Sequence, residues 1–481
     1  MKLIPTYAWN KGIHNFNRGS QNLMAQPWAS GGLLLVCVVI AMLLANLPFT
    51  KHFYHAFLET SLSMSIQSPT NPVTGLRTID WIFPKDLSIE TFINDILMVV
   101  FFFTVGLEIK REVVCGELSS AKKAMMPVIA AAGGMAVPAL IFTLFNHGTE
   151  AASGWGIPTA TDIAFAVGIM SILGDRVPVS LKVFLTALAI ADDLGAILVV
   201  AIFYGGTIDL LLLSIALLLI AFIFIMSQMG EKRMVFYLVP AIAVWFLFYY
   251  SGVHATMSGV VMAFLIPMEP RYNHSYLDHH IDRYQRQLNE LEAAETAEEE
   301  SFPNTPQRNC LRRISSVATN SVGMSYRLEH ALSPWVNFCI MPIFALANAG
   351  VEIPDLSYFN IFRYSPEIGS VGMGVFFGLL LGKPVGISIA SWLAIKLKAG
   401  EMPSNASHKM LFAVACLGGI GFTMSIFVDT LSFGGLSPEL TEHLRATGKI
   451  AVLMGSLSAG ILGSLLINIF HKMESRKSVA A

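Results

Sequence analysis

Two adjacent aspartates in the middle of a long apolar run constrain this chain more than any other feature. The run extends from Thr186 to Val200, with Asp192 and Asp193 near its centre. An acidic side chain at the centre of a membrane helix costs about 2.5–3.5 kcal/mol. Two carboxylates this close together are also not both comfortably ionised. The pair therefore needs a cation, which is a proton, a metal ion or a lysine.

The composition is that of a polytopic membrane protein. Of the 481 residues, 54% are hydrophobic and only 13% are charged, whereas a soluble domain carries about 25% charged residues. The net charge of −2 indicates no nucleic-acid partner. The 5 cysteines are scattered without a Cys-x-x-Cys pair, which argues against a disulfide framework or a metal cluster. No cofactor is expected.

Apolar runs of about 20 residues predict an all-α fold with twelve transmembrane helices. The predicted spans are 30–48, 90–110, 124–145, 154–174, 180–204, 208–227, 234–250, 252–267, 334–351, 371–397, 407–433 and 446–470. Lysine and arginine are concentrated after every second span, which places both termini in the cytoplasm. The predicted organisation is a cytoplasmic segment 1–29, transmembrane helices 1–8 in 30–267, a hydrophilic cytoplasmic insertion 268–333, helices 9–12 in 334–470 and a cytoplasmic tail 471–481.

The insertion at 268–333 has two interpretations. Its part from Gln285 to Glu295 favours a charged helix, and a linker rich in Ser, Pro and Asn follows. A solvated insertion without chemistry is one interpretation, and a regulatory arm is the other.

Two of the spans are interrupted. The fourth opens with residues 154–162, which contain Pro158 and Asp162, and the eleventh contains the glycine-rich stretch 418–423. Irregular backbone at membrane depth persists only where it is buried in protein or lines a cavity. These two spans run in opposite directions, as an inverted repeat requires, and such a pair indicates a transporter binding site. Plain helix packing is the alternative for the glycines of the eleventh span.

Besides Asp162, Asp192 and Asp193, one more charge lies in the middle of a span, Lys383 in the tenth. A buried lysine needs a partner or must lose its proton. Successive helical residues point about 100° apart, so one aspartate of the 192–193 pair can face Lys383 while the other faces the interrupted spans. The alternative is a static structural ion pair.

Three charged residues, Glu108, Arg111 and Glu112, lie at the end of the second span, and they have a structural and a functional interpretation. Glu108 and Glu112 share a helix face, with Arg111 near both. They form either an ordinary cytoplasmic helix end or an ion funnel with pH-sensitive carboxylates. His254, near the start of the eighth span, titrates in the physiological range or is a satisfied structural group.

Six stretches together resemble the NhaA-type sodium/proton antiporters of bacterial inner membranes. They lie in family order along nearly the whole chain: 105–112 (VGLEIKRE), 158–166 (PTATDIAFA), 189–196 (AIADDLGA), 252–256 (GVHAT), 382–384 (GKP) and 418–425 (GGIGFTMS). The resemblance implies a twelve-helix fold in which two broken helices cross at mid-membrane, as is known for this family of inverted-repeat transporters.

The resemblance also implies roles for individual residues. Asp192 and Asp193 would bind Na⁺ or Li⁺ and exchange protons, Asp192 would pair with Lys383, and Asp162 with Thr161 would balance the helix ends at the crossing. The positions implied in pH response are Glu108, Arg111, Glu112 and His254, and Asp95 matches a family carboxylate near the passage. Two departures stand out: the insertion is unusual for the family, and Ser333 occupies the place of a second histidine in some relatives.

These observations predict an electrogenic, pH-regulated Na⁺(Li⁺)/H⁺ antiporter of the inner membrane, with Na⁺, Li⁺, H⁺ and the lipid bilayer as partners. The oligomeric state is left open, a homodimer included. A sodium-coupled solute symporter and an intramembrane aspartyl protease are the alternatives. The protease requires one carboxylate from each of two helices, whereas Asp192 and Asp193 are adjacent in one helix.

Overall fold

The computed structural model describes residues 26–61, 64–67, 80–83, 88–206, 208–272, 274–293, 305–353, 362, 369–404, 406–434 and 436–480. These residues form two compact units. The first comprises the described residues up to Phe101, Glu112–Gly206 and those from Pro334 onward, and the second comprises Phe102–Arg111 and Thr207–Ser333. Most of the predicted N-terminal segment 1–29 lies outside the described residues.

Helices dominate the first unit. They are α1 (Pro27–Asn46), α2 (Lys51–Glu59), α3 (Ile89–Thr91), a π-helical turn (Phe92–Leu97), the start of α4 (Met98–Val114), α5 (Ala121–Asn146), a 3₁₀ segment (Glu150–Thr159), α6 (Ile163–Leu173), a 3₁₀ turn (Gly174–Arg176), α7 (Val179–Phe203), a π-helical turn (Val336–Ile340), α14 (Met341–Asn348), α15 (Val371–Phe377), a π-helical turn (Gly378–Gly382), α16 (Lys383–Lys396), α17 (His408–Leu417), α18 (Phe422–Ser432) and α19 (Pro438–Ala480).

A small hairpin is the exception to the all-helical pattern of the described residues. β1 (Met64–Gln67) pairs antiparallel with β2 (Asp80–Phe83), Met64 lying opposite Phe83. The all-α prediction misses this hairpin because four-residue strands inside a polar connection give no periodic signal that stands out from a loop.

The second unit contains most of α4 and five further helices. These are α8 (Leu210–Gln228), α9 (Val235–Ser251), α10 (Thr256–Leu265), α11 (His274–Ala293) and α12 (Thr305–Asn320), followed by most of α13 (Met324–Trp335). α11 covers the described part of the predicted charged helix, and residues 294–304 lie outside the description. α11 and α12 pack together, and the Sγ of Cys310 donates to the carbonyl of Tyr284 at 3.1 Å.

The helices confirm a polytopic membrane fold. Among the described residues, nine helices are long and apolar enough to cross a membrane, and α17 with α18 forms a tenth span that is bent by 53° at its break. The other two predicted spans coincide with the shorter apolar helices α9 (17 residues) and α10 (10 residues). The full number of twelve therefore stays a prediction.

Two helices extend well beyond their predicted spans. The ninth span is predicted at 334–351, but its helix begins at Met324, and the twelfth is predicted at 446–470 within the 43-residue α19. The added turns are amphipathic or charged, so hydropathy alone does not register them. In α13 they bury one face that includes Leu328 and Glu329.

Glycines bring α5 and α16 into close contact. A Cβ added at Gly133 would lie 2.6 Å from the carbonyl oxygen of Gly386, and one added at Gly386 would lie 2.9 Å from the carbonyl carbon of Gly133. Small residues at helix interfaces let backbones approach in this way in membranes. The same surface holds Lys383, whose Cδ lies 3.9 Å from the Cβ position of Gly134. This packing therefore positions the one lysine that the sequence analysis singles out.

Replacing Gly386 with valine is expected to separate α5 from α16 and to lower the free energy of unfolding by about 1–3 kcal/mol, because overpacking forces backbone shifts. Thermal unfolding in detergent measures the change. Gly32→Val is the matched control, since the Cβ position of Gly32 meets only the Trp28 side chain, at 3.9 Å. Equal melting temperatures for the two variants would contradict the close packing.

Candidate functional site

The breaks in the two interrupted spans lie against each other. The extended residues Ala160–Asp162 separate the 3₁₀ segment from α6, and residues 418–421 separate α17 from α18. The backbone N–H of Asp162 donates to the carbonyl of Ile420 at 2.6 Å, and the hydroxyl of Thr161 lies 2.8 Å from the carbonyl oxygen of Gly418. Each break thus supplies hydrogen-bond partners for backbone groups that the other leaves without a helical partner.

Asp162 serves the N-terminal ends of two half-helices. One carboxylate oxygen accepts from the backbone N–H of Phe165, in the first turn of α6, at 3.2 Å. The other accepts from the backbone N–H of Thr423, in the first turn of α18, at 3.2 Å, and from the Thr423 hydroxyl. Helix N-termini carry partial positive charge, so this buried carboxylate compensates two of them at once.

Lys383 and Asp192 form an ion pair in the fully buried interior. Both side chains are 0% exposed, and the Lys383 ammonium donates to Oδ2 of Asp192. It also donates to the hydroxyl of Thr161 at 2.9 Å, and that hydroxyl lies 2.6 Å from the same Asp192 oxygen. Because a hydroxyl has one hydrogen, Thr161 donates either to Asp192 or to the carbonyl of Gly418. The ion pair is thereby joined to the break in the eleventh span.

The π-helical turn at Gly378–Gly382 ends immediately before Lys383. Such turns insert an extra residue into a helix and are frequent at functional sites. Asp192 and Asp193 lie on the continuous helix α7, where both are buried. The second carboxylate oxygen of Asp192, Oδ1, has no hydrogen-bond partner among the described residues. Asp193 adds its negative charge to the field at Lys383.

The predicted regulatory residues lie in other surroundings. Within the second unit, Arg111 forms an ion pair with Glu329, whose side chain is 7% exposed, and Arg111 lies 4.0 Å from Glu108. Glu112 accepts from the backbone N–H of Glu117 at 3.1 Å. Glu329 is a partner that the sequence analysis does not predict, because its helix begins ten residues before the predicted ninth span.

The two remaining predicted residues are half-buried. His254 lies in the turn between α9 and α10, where its carbonyl accepts from the N–H of Met257 at 3.0 Å. Asp95 lies in the π-helical turn Phe92–Leu97, next to Asn94, whose amide exchanges hydrogen bonds with that of Asn348. The described contacts thus bring together Thr161, Asp192 and Lys383 at the breaks, with Asp193 next to Asp192 on α7 and Asp162 capping beside them. The residues predicted for pH response and Asp95 make other contacts.

A count restricted to charges in the middle of a span leaves out two charges that lie near span ends. Asp429, within the predicted eleventh span, is 0% exposed, and Lys449 lies within the predicted twelfth span. Both lie near a span end, where charges are ordinarily attributed to the membrane surface. The sequence does contain a signal for this pair, because an acid and a lysine lie in consecutive apolar runs.

The site combines three elements of cation chemistry: a buried acidic pair, a lysine that neutralises one member, and backbone carbonyls freed by the breaks. Carboxylate and carbonyl oxygens suit hard cations. Lys383 donates to one oxygen of the Asp192 carboxylate, and the other oxygen has no described partner. A cation that bound this carboxylate would therefore compete with the lysine. No group of three or more His, Cys, Asp or Glu side chains among the described residues has the arrangement of a resident metal site.

Comparison with known proteins identifies the family of this chain. The profile of the family described as Na⁺/H⁺ antiporter 1 matches residues 21–467. The chain is 40% identical to a Na⁺/H⁺ antiporter NhaA of Oleidesulfovibrio alaskensis over 441 residues, 92% of this chain and 91% of the relative. It is 41% identical to the NhaA of Acidithiobacillus ferrooxidans (94% and 97% covered) and 38% identical to that of Escherichia coli O1:K1 (90% and 94% covered). The chain therefore belongs to the Na⁺/H⁺ antiporter 1 family.

Proposed function

We propose that this protein is an electrogenic Na⁺(Li⁺)/H⁺ antiporter of the inner membrane that exports Na⁺ in exchange for protons. The relatives named above all carry the name Na⁺/H⁺ antiporter, which supports a transporter rather than an enzyme. Both termini face the cytoplasm in this proposal, as the alternation of basic residues indicates.

The observation that carries the proposal is the contact between Lys383 and one oxygen of Asp192, while the other oxygen of that carboxylate has no described partner. The second oxygen of this intramembrane carboxylate can therefore accept one more cation. Asp193, adjacent in the helix, supplies the second negative charge. Na⁺ and protons then compete for the same acidic pair, and only the loaded carrier reorients. Such competition is sufficient for exchange.

Oxygen ligands for Na⁺ are available around Asp192. The Thr161 hydroxyl lies 2.6 Å from it, and the carbonyl of Gly418 lies 2.8 Å from that hydroxyl. We infer that Na⁺ takes these oxygens together with the two carboxylates. Arrival of the ion displaces Lys383 from Asp192, so the lysine no longer has its counter-charge there. Its proton, together with that of Asp193, gives two protons that leave as one Na⁺ arrives, and the cycle moves net charge.

The residues outside the acidic pair are assigned to control of access and pH response. Glu108, Arg111, Glu112 and His254 form the proposed pH-responsive set, and Asp95 is the proposed carboxylate along the passage. The ion pair between Arg111 and the buried Glu329 supports this assignment, because protonation of Glu329 would remove the main counter-charge of Arg111. A change in pH then changes the packing of α4 against α13 within the second unit.

The arrangement disfavours the two alternatives. An aspartyl protease needs two carboxylates that share a proton across two helices, but here Lys383 occupies Asp192. A sodium-coupled symporter would accumulate an organic solute in response to a Na⁺ gradient. Measured solute uptake or cleavage of a membrane peptide would establish either one in place of exchange.

Asp193→Asn is expected to abolish exchange, since an amide neither binds a proton nor contributes charge to a Na⁺ site. The measurement is Na⁺-induced dissipation of a pH gradient in proteoliposomes, where the variant should fall to the level of empty liposomes. Asp175→Asn is the matched control, because Asp175 is exposed in the 3₁₀ turn before α7. Undiminished exchange by Asp193→Asn would refute the proposed site.

Thr161→Val is expected to raise the apparent KM for Na⁺ about tenfold or more. The reason is that a hydrogen bond to a charged group contributes about 1.5–3 kcal/mol, and each 1.4 kcal/mol is tenfold in affinity. Thr161→Ser keeps the hydroxyl and should restore the KM to near the wild-type value. If valine and serine raised the KM equally, the hydroxyl would have no part in ion binding.

Acid pH is expected to raise the apparent KM for Na⁺ and to leave the maximal rate at saturating Na⁺ less affected. The protons of Asp193 and Lys383 must be released before Na⁺ binds. Each released proton raises the KM about tenfold for each pH unit lowered, and two released protons raise it up to about a hundredfold. Initial rates measured over a grid of Na⁺ concentration and pH separate the two parameters. A KM that is independent of pH would exclude a shared site.

A further inference from the structure

Asp429 is a second buried acid, separate from the pair on α7. It lies on α18, is 0% exposed, and neither of its carboxylate oxygens has a hydrogen-bond partner among the described residues. Buried polar groups are nearly always hydrogen-bonded, and acidic residues inside membrane spans are usually functional. The unsatisfied carboxylate therefore needs a ligand that the surrounding chain does not provide.

Two basic residues of α19 face this carboxylate without hydrogen-bonding to it. Arg445 and Lys449 both interact with Asp429 electrostatically, and Arg445 donates its own hydrogen bond to the carbonyl of Thr430. Gly448, between them in sequence, gives the carboxylate its space, because a Cβ there would lie 3.0 Å from Cγ of Asp429. The acid and the lysine thus form an open couple, in contrast to the closed pair of Asp192 and Lys383.

Arg445 and Lys449 also line a polar cleft of about 410 Å³. Its wall includes the acidic side chains Glu59, Glu90, Glu352 and Glu442. The four carboxylates outnumber the two basic side chains, and an excess of one sign of charge raises the local concentration of oppositely charged ions. The charge pattern of the sequence places the connections around this cleft on the side opposite the termini, so the cleft draws protons and other cations from the outer face.

We propose that Asp429 and Lys449 form a second proton-binding site, supplied from this cleft. In the uptake step, the Lys449 ammonium gives a proton to the Asp429 carboxylate: the N–H bond breaks, an O–H bond forms, and both groups become neutral. The Lys449 amine then takes a proton from a hydronium ion in the cleft. The couple gains one proton, and the steps reverse on release.

A proton fits this site better than Na⁺. Na⁺ needs several oxygen ligands, whereas Arg445 and Lys449 place two positive charges against the carboxylate. Among the described residues, the phenol of Tyr204, at the end of α7, also interacts with Asp429. α14, which also packs against α18, contains no titratable residue, and Glu150 of the adjacent 3₁₀ segment is exposed.

The phenol of Tyr54, which also lines the cleft, does not compete for protons. Burial, reinforced by the charge of Glu90, raises the pKa of Tyr54 well above its ordinary value. Its hydroxyl instead donates to the carbonyl of Leu346 at 2.7 Å. Lys449, which Glu90 also attracts, is therefore the group through which the cleft reaches Asp429.

The couple is placed to serve the exchange cycle, and this part of the inference rests on the proposed function. Asp429 lies eight residues beyond Gly421, which corresponds to about 12 Å along α18. It stands between the cleft and the break at which the acidic pair is anchored. A proton held there shortens the path that each proton must cover from the outer face.

The proton-binding part is tested without transport, by infrared difference spectroscopy of the purified full chain titrated in H₂O and D₂O. Asp429→Asn should remove the protonated-carboxyl band of the buried acid, and Asp175→Asn, which replaces an exposed carboxyl, should leave that band unchanged. Na⁺-dependent thermal stabilisation, which reports the acidic pair, should be retained by both variants. A spectrum of Asp429→Asn identical to that of the wild type would overturn the proposal.

A second variant keeps the test decisive if Asp429→Asn fails to fold. Lys449→Gln removes the proton donor and should shift the pH at which the same carboxyl band titrates. An unshifted band would overturn the couple. In proteoliposomes, Asp429→Asn should slow exchange about tenfold at alkaline outer pH, below the 100-fold typical of positioned proton donors, because water in the cleft partly substitutes. A lost band with unchanged exchange would keep the proton site and overturn its part in the cycle.

Discussion

The ion pair between Lys383 and Asp192 is the interaction on which the rest of the interior depends. Each charge alone would be untenable at 0% exposure, so every feature that brings them together is under constraint. The close glycine contact of α5 with α16 and the π-helical turn before Lys383 set the position of the lysine. Thr161 then ties the pair to the broken backbone. The ion pair, the helix packing and the broken backbone therefore depend on one another.

The helix ends at the two breaks are also compensated by buried side chains. The N-termini of α6 and α18, which follow the breaks, would leave backbone N–H groups and partial positive charge buried, and Asp162 compensates both with one carboxylate. At the C-terminal end of α17, the carbonyl oxygen of Gly418 lies 2.8 Å from the Thr161 hydroxyl, to which Lys383 donates. A carboxylate therefore meets the two helix N-termini, and the lysine is linked to the carbonyl end of α17 through that hydroxyl. A cation that enters or leaves disturbs this balance, which is how binding can be coupled to movement of the breaks.

Much of this arrangement is predictable from the sequence because charge in an apolar run is rare and expensive. Asp192, Asp193 and Lys383 follow from that rule, and the two interrupted spans follow from proline and glycine at membrane depth. The residue pattern by itself does not reveal which aspartate receives the lysine, since both are adjacent and rotation of α7 decides. Only the family resemblance implies Asp192. It also hides Glu329, whose helix is amphipathic and begins before the apolar run, and the hairpin of β1 and β2, whose strands are too short for a periodic signal.

Asp429 and Lys449 were missed for a different reason, and the reason bears on how intramembrane charges work. Each stands near the end of its span, where a charge is read as belonging to the surface, yet Asp429 is completely buried. Lys383 and Asp192 are hydrogen-bonded to each other, so a cation must break that bond to bind. Asp429 and Lys449 make no such bond, so a proton reaches the carboxylate without displacing a partner. A closed pair suits selection between ions, whereas an open couple suits rapid supply, and the two belong at different points along one path.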